Sequence, residues 1–139
     1  MTPRLRKVVY AVSFEAGGIA MGGMVLHLIS RAPIDRSLGL ATFGAMLALG
    51  WSYVFNSVFE AWEARQGRRG RSFLRRASHA VLYETGLTLV LVPVTAWWLA
   101  CSLLAAVAYE ASLIGFFLAY AWAFTWGFDR VFGLPQSAR

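Results

Sequence analysis

The chain has 139 residues, of which 58% are hydrophobic and only 14% are charged, whereas soluble domains usually carry about 25% charged residues. A water-soluble fold of this length could not bury so much apolar surface, so the composition indicates an integral membrane protein. The net charge of +6 lies in segments that flank the apolar runs and that lack interleaved base-stacking aromatics. It therefore indicates a membrane topology signal and no nucleic-acid partner.

Four apolar runs follow one another along the chain, and each is long enough to cross a hydrocarbon core of about 30 Å as a helix. The runs cover Val8–Ile29, Leu38–Phe59, Ala77–Leu99 and Val107–Phe128. The boundary between the third and fourth runs is the least defined, because only Ser102, Glu110 and Ser112 mark it. The sequence therefore predicts four transmembrane helices that cross a lipid bilayer.

The cationic residues are distributed unequally between the two sides that such helices define. Eleven fall on the side of the N-terminus, namely Arg4, Arg6, Lys7, Arg65, Arg68, Arg69, Arg71, Arg75, Arg76, Arg130 and Arg139. Only Arg31 and Arg36 fall on the other side. Because cytoplasmic loops carry an excess of Lys and Arg, this asymmetry predicts that both termini lie inside the cell.

The second half of the chain repeats the first at an offset of 69 positions. This single offset aligns Glu15 with Glu84, Phe59 with Phe128 and Glu60 with Asp129 without a gap. Both copies enter the membrane from the same side, so the repeat is parallel. The predicted fold is an all-α integral membrane protein, a four-transmembrane-helix bundle of two parallel-repeat helical hairpins, N-in/C-in. The predicted segments are the first repeat (1–64), a basic cytoplasmic loop (65–76) and the second repeat (77–139).

Glu15 and Glu84 are the candidate proton-coupling and substrate-binding residues. Each lies about 10 Å along its helix from the inner surface, at 1.5 Å per residue. An ionisable group inside a bilayer costs several kcal/mol unless it is paired, hydrated or neutralised, so it is a candidate for exchanging a proton for a cation. The alternative is a structural ion pair or a side chain that reaches the interface.

Gly18 and Gly22 follow Glu15 on the same helical face and form a GxxxG pattern, which permits close helix packing. This pattern predicts that Glu15 faces a helix interface or cavity and does not face lipid. Four short helices also allow a homodimer, and the glycine face of the first helix is a candidate seam.

Two acids, Glu60 and Asp129, end the second and fourth runs. Asn56 precedes Glu60 by four residues and Thr125 precedes Asp129 by four, so each polar pair shares a helix face. Aromatic residues accompany the first pair, namely Trp51, Phe55 and Phe59. One reading is an inner vestibule whose acids attract a cation and whose rings hold its charge. The other is a membrane-interface belt with solvated acids.

Few other residues suggest chemistry. His79 precedes Glu84 by five residues and could pass protons to it. The sequence contains no zinc-type Cys/His cluster, no phosphate-binding loop and no nucleophile–base set. We therefore expect no metal, no cofactor and no enzymatic activity.

These motifs resemble those of the proteobacterial antimicrobial compound efflux (PACE) family, which is built from tandem bacterial transmembrane pair domains. The family pattern R-x3-H-A-x2-F-E is similar to Arg75, His79, Ala80, Tyr83, Glu84 in the third run and to Arg6, Tyr10, Ala11, Phe14, Glu15 in the first. Its second-helix pattern is similar to Trp51, Ser52, Phe55, Asn56, Phe59, Glu60. Its fourth-helix pattern is similar to Ala121, Phe124, Thr125, Trp126, Phe128, Asp129.

The resemblance implies proton-coupled export of cationic biocides of the chlorhexidine type, or of short diamines, across the bacterial inner membrane. It implies a coupling role for Glu15. The chain departs from the family pattern at Tyr10, which replaces a histidine, at Ser52, which replaces an asparagine, and at Glu60, which replaces an aspartate. Two alternatives stay open: a non-transporting membrane scaffold or accessory subunit, and a transporter of the small multidrug resistance type.

Overall fold

A computed structural model describes residues 1–67 and 70–134 and shows four long helices. They are α1 (Pro3–Ser30), α2 (Ile34–Arg65), α3 (Phe73–Leu99) and α4 (Leu103–Phe132). All four are long and apolar enough to cross a membrane, so the predicted transmembrane helices are confirmed. Arg68, Arg69 and Arg139, three of the cations used in the topology argument, lie outside the described residues.

Local side-chain chemistry explains where the helices begin and end. The hydroxyls of Thr2 and Ser72 cap α1 and α3 by accepting hydrogen bonds from backbone N–H groups three residues later. The C-caps of α1 and α3 are Arg31 and Ala100, both in the left-handed conformation with φ of 58° and 50°. The two C-caps are 69 positions apart, so the sequence repeat extends to the C-terminal ends of α1 and α3.

The boundary between α3 and α4 falls at residues 100–102, where the third run was predicted to end. Helix α4 begins at Leu103, four positions before the predicted start. Glu110 and Ser112, which were taken as polar markers of the boundary, lie within α4. Both residues also lie within the predicted run, so the difference is confined to the apolar residues 103–106, which extend α4 to the boundary.

Burial follows the same repeat. Leu26 and Thr95, which are 69 positions apart, are each 1% exposed. Phe59 and Phe128, which share that spacing, are 7% and 6% exposed. The two copies therefore present equivalent positions to the interior even where the residue type has changed from apolar to polar.

The helices pack in two units that do not coincide with the two hairpins. One unit combines Met1–Thr42 with the chain from Ala108, and the other is Phe43–Val107. In the first unit α1 contacts α4, and in the second α2 contacts α3. Each unit therefore joins a first helix from one repeat to a second helix from the other.

The glycine face of α1 is occupied within the chain. Gly18 and Gly22 are buried, and a Cβ on Gly22 would lie 2.9 Å from Cζ of Phe117 in α4. Small residues at this face let two helices approach closely, as in other membrane helix pairs. The structure therefore differs from the proposed homodimer seam: the surface that a second copy would need is already covered by α4.

Candidate functional site

An open groove of about 360 Å³ runs between α2 and α3. It is lined by Ser52, Asn56, His79, Ala80, Tyr83 and Glu84. Five of these six side chains can make hydrogen bonds. Glu84 and His79 were predicted as coupling residues and Asn56 as part of an inner vestibule, whereas the structure places all three in one groove.

A hydrogen bond between the two helices fixes their register at the groove. Nε2 of His79 and Oδ1 of Asn56 are 2.8 Å apart, and Nδ2 of Asn56 donates to Oγ of Ser52 at 3.4 Å. The rings of Phe55 and Phe59 pack edge-on against the His79 imidazole, with centroids 5.1 and 4.7 Å away. The predicted aromatic stripe thus holds the histidine, and no proton path from His79 to Glu84 is required to explain its position.

Trp51 supports one wall of the groove. Its Nε1 donates to the backbone carbonyl oxygen of Tyr83 at 3.1 Å, and its ring lies directly over Gly86. Any Cβ at residue 86 would overlap the indole. Trp51 therefore positions Tyr83 and α3, and this role was not evident from sequence alone.

The contacts between α1 and α4 repeat this arrangement with other residue types. Oη of Tyr10 and Oγ1 of Thr125 are 2.7 Å apart, where the other unit has His79 and Asn56. Oη of Tyr120 donates to the carbonyl oxygen of Phe14 at 2.9 Å, where the other unit has Trp51 and Tyr83. Tyr120 also lies over Gly17, the counterpart of Gly86.

The acids have different surroundings in the two units. Glu84 lines the groove, and Glu84, Glu15 and Glu60 are all exposed at the surface of the described chain. For Glu15 this differs from the expected helix interface, because the glycines turn toward α4 while the carboxylate lies beside that contact. The face of Glu15 is therefore open to lipid, water or a ligand.

Asp129 is already paired. Its carboxylate accepts a hydrogen bond from the Arg6 guanidinium, which also donates to the carbonyl oxygen of Gly133 at 2.9 Å. The guanidinium carbon of Arg6 lies 5.2 Å from the centre of the Phe128 ring. Asp129, predicted as a vestibule acid, is therefore neutralised by a cation of the same chain.

The basic segment makes its own contacts near α2 and α3. Nε of Arg71 lies 2.9 Å from Oε1 of Glu63, and the Arg71 guanidinium lies over the Phe59 ring. Arg75, the counterpart of Arg6, donates to the carbonyl oxygen of Gly70 at 3.3 Å. Glu60, the counterpart of Asp129, forms no ion pair with any described residue.

Sequence reasoning missed one intramembrane acid. Glu110 is 7% exposed and is the one acidic side chain that is buried in residues 1–67 and 70–134. It lies about 10 Å along α4 from its start, at 1.5 Å per residue. Its signal was present, since a lone carboxylate in an apolar run is a candidate by default, but Glu110 was used only to mark where the fourth run begins.

In residues 1–67 and 70–134, no group of three or more His, Cys, Asp or Glu side chains is placed to hold a metal ion. The groove offers a carboxylate, an amide, an imidazole and hydroxyls. Such a set accepts hydrogen bonds from a cation and supplies ring faces beside it.

A family model described as "Chlorhexidine efflux transporter" matches residues 2–65 and again residues 71–134. A short-chain diamines transporter of Vibrio parahaemolyticus is 35% identical over 131 residues, covering 92% of this chain and 91% of the relative. Proteins of the same name from Acinetobacter baylyi and Acinetobacter baumannii are 29% and 26% identical over 126 residues, covering 91% of this chain and 89% and 87% of those relatives. No solved structure matches the chain.

The tandem family match agrees with the 69-residue repeat, and four membrane-spanning helices agree with a transporter. The chain belongs to the chlorhexidine efflux transporter family and is a multi-pass transport protein of the bacterial inner membrane.

Proposed function

We propose that the protein exports cationic amphiphilic biocides, short-chain diamines or both across the inner membrane in exchange for protons. The names of its relatives support the cargo class. The observation that carries the proposal is Glu84, a carboxylate within a membrane-spanning helix that lines a groove with hydrogen-bonding side chains. A carboxylate in such a place binds either a proton or a cation, because both compete for the same negative charge.

The proposed cycle uses this competition. With both termini inside the cell, deprotonated Glu84 binds a cation that arrives from the inner side, and Glu15 carries the coupled proton. A proton that arrives from outside neutralises the carboxylate and releases the cargo. Glu15 takes part because it has the same depth in the first repeat and is exposed. His79 and Tyr10 each lie five positions before one of these acids and set the contact between the paired helices.

The test is transport by purified protein in liposomes with an imposed pH gradient. We expect wild-type protein to move chlorhexidine or 1,5-diaminopentane against a proton flux, and expect Glu15→Gln to abolish gradient-driven transport. Asp35→Asn is the matched control, because Asp35 is an exposed acid in the first turn of α2 and outside the proposed site. Gradient-driven transport by Glu15→Gln at the wild-type rate would refute the coupling role. Absence of both transport and binding in the wild type would favour the scaffold.

A further inference from the structure

We propose that the two repeated polar sets are not equivalent, and that a short aliphatic diamine binds in the α2/α3 groove and not at the α1/α4 set. This inference rests on the proposed transport of cations and names the part of the molecule that binds them. It also assigns a binding role to Ser52 and Tyr83, which the sequence analysis did not.

The first support is the residues themselves. The groove residues Ser52, Asn56, His79 and Tyr83 correspond, at the offset of 69, to Ala121, Thr125, Tyr10 and Phe14. At two of the four positions a hydroxyl is lost completely, and at a third a side-chain amide with a strong carbonyl acceptor becomes a hydroxyl. Only Ala80/Ala11 and Glu84/Glu15 keep their residue type. The α1/α4 set therefore has the carboxylate without most of its polar surroundings.

The second support is the packing of rings. Tyr10 contacts Phe14, Phe124 and Phe128, with ring centroids 5.8, 5.5 and 5.1 Å away. Phe14 in turn contacts Tyr120 at 5.0 Å and Phe124 at 5.4 Å. His79 makes the equivalent contacts with Phe55 and Phe59, so the packing of the two sets differs mainly by the larger Tyr10 ring in place of the imidazole.

The third support is the charge at the helix ends. In the α1/α4 unit the acid Asp129 is held by Arg6, so an incoming cation would have to displace a guanidinium. In the α2/α3 unit the corresponding Glu60 makes no ion pair with a described residue. A cation that approaches this groove therefore meets an accessible carboxylate first and Glu84 about 13 Å further along the helix pair, as estimated from 1.5 Å per residue on either side of the His79–Asn56 contact.

The chemistry of the groove fits a primary ammonium group. Such a group has three N–H donors, and a carboxylate accepts from it by a charge-assisted hydrogen bond. Glu84 supplies that carboxylate, Ser52 and Tyr83 supply hydroxyl oxygens, and the neighbouring Phe55 ring supplies a π face. The second ammonium of a diamine remains toward Glu60, at the open end of the same helix pair.

Isothermal titration calorimetry of 1,5-diaminopentane into detergent-solubilised protein tests the inference without requiring transport. We expect Glu84→Gln to weaken binding about tenfold or more, since it removes a charged hydrogen-bond partner. We expect Glu15→Gln to bind within threefold of wild type while losing gradient-driven transport. Ser52→Ala should weaken binding by severalfold, and its reciprocal control Ala121→Ser should not.

Equal weakening by Glu15→Gln and Glu84→Gln would show that both sets bind the diamine and would overturn the inference, as would loss of binding in Glu15→Gln alone. If Glu84→Gln unfolds, Ser52→Ala and Ala121→Ser give the same comparison with smaller changes. Failure of the proposed function has another signature, because wild-type protein would then bind no diamine and transport none.

Discussion

The α1/α4 contact and the α2/α3 contact are two versions of one design, and they differ in what holds them together. In the α1/α4 unit the helices are joined by an ion pair, a cluster of rings and a hydroxyl–hydroxyl bond. In the α2/α3 unit they are joined by an imidazole–amide bond and by equivalent ring contacts, beside an open groove. Duplication therefore preserved the register of the contacts, while the residues at them became more polar in the α2/α3 unit and the terminal acid became paired in the α1/α4 unit.

Each unit combines helices from both repeats, and this arrangement bears on how a duplicated protein of this kind could arise. Each polar set takes a first-helix motif from one repeat and a second-helix motif from the other. A single hairpin contains both motifs, and each motif contacts its counterpart from the other repeat. One repeat alone would need a second copy of itself to complete either set, and fusion of two copies allows each set to change independently.

The largest expected difference between the two units concerns their arginines. Arg6→Ala removes the partner of Asp129 and the donor to Gly133, and the two charged side chains are only 18% and 25% exposed. We expect the free energy of unfolding in detergent to fall by about 1.5–3 kcal/mol, the range for hydrogen bonds to partly buried charges. Arg75→Ala, which loses one long hydrogen bond to Gly70 and a cation–π contact with Trp62, should cost about 1 kcal/mol.

Denaturant titrations of Arg6→Ala, Asp129→Ala and the double variant check this value. A coupling energy above about 1 kcal/mol between Arg6 and Asp129 is expected from their direct contact. Equal destabilisation by Arg6→Ala and Arg75→Ala would contradict the proposed difference between the two units, in which Arg6 pairs with Asp129 and Arg75 pairs with no described acid.

Much of the fold could be predicted from the sequence. Apolar runs set the number of helices, and the 69-residue offset set their equivalence, because hydrophobic length and matched Arg and Glu residues are local properties of the chain. Helix pairing could not be predicted this way. That Gly17 would lie under Tyr120 and Gly86 under Trp51 depends on the shapes of side chains in distant helices.

The sequence predicted individual residues of the candidate site, but it did not predict that they lie together in one groove. Glu84, His79 and Asn56 were each selected for a polar or ionisable group in an apolar run, which is a reliable local signal. Their meeting in one groove, and the capture of Asp129 by Arg6, required knowledge of which helices touch. Glu110 was missed for a related reason, since only the three-dimensional structure shows that its position is buried.

An intermediate difference is expected at the two glycines. Gly86→Ala places a methyl group into the Trp51 indole, which is fixed by its hydrogen bond to Tyr83. We expect a loss of about 1–2 kcal/mol in unfolding free energy, since overpacking exceeds the gain in helix propensity. At Gly17 the obstacle is the hydroxyl end of Tyr120, which can move at the cost of one hydrogen bond, so Gly17→Ala should be milder.

Gly115→Ala is the control, because a Cβ there has no neighbour within 4 Å and should leave stability unchanged or slightly raised. Thermal unfolding followed by circular dichroism ranks the three variants. If Gly17→Ala lowers the stability as much as Gly86→Ala, then Tyr120 over Gly17 is as rigid as Trp51 over Gly86. That result would contradict the prediction drawn from their different contacts.

The smallest expected effect is that of Tyr10→Phe, which removes one hydroxyl group and the hydrogen bond that it makes. Tyr10→Phe deletes the 2.7 Å contact with Thr125 but keeps the ring among Phe14, Phe124 and Phe128. Hydrogen bonds between membrane helices are worth about 0.6 kcal/mol on average, so the unfolding free energy should fall by about that amount. Thr125→Val should lose as much, and the double variant no more than either single variant, because both remove the same bond. A loss above about 2 kcal/mol for Tyr10→Phe would show that polarity, and not ring packing, holds α1 against α4. The proposed difference in polarity between the two units would then fail.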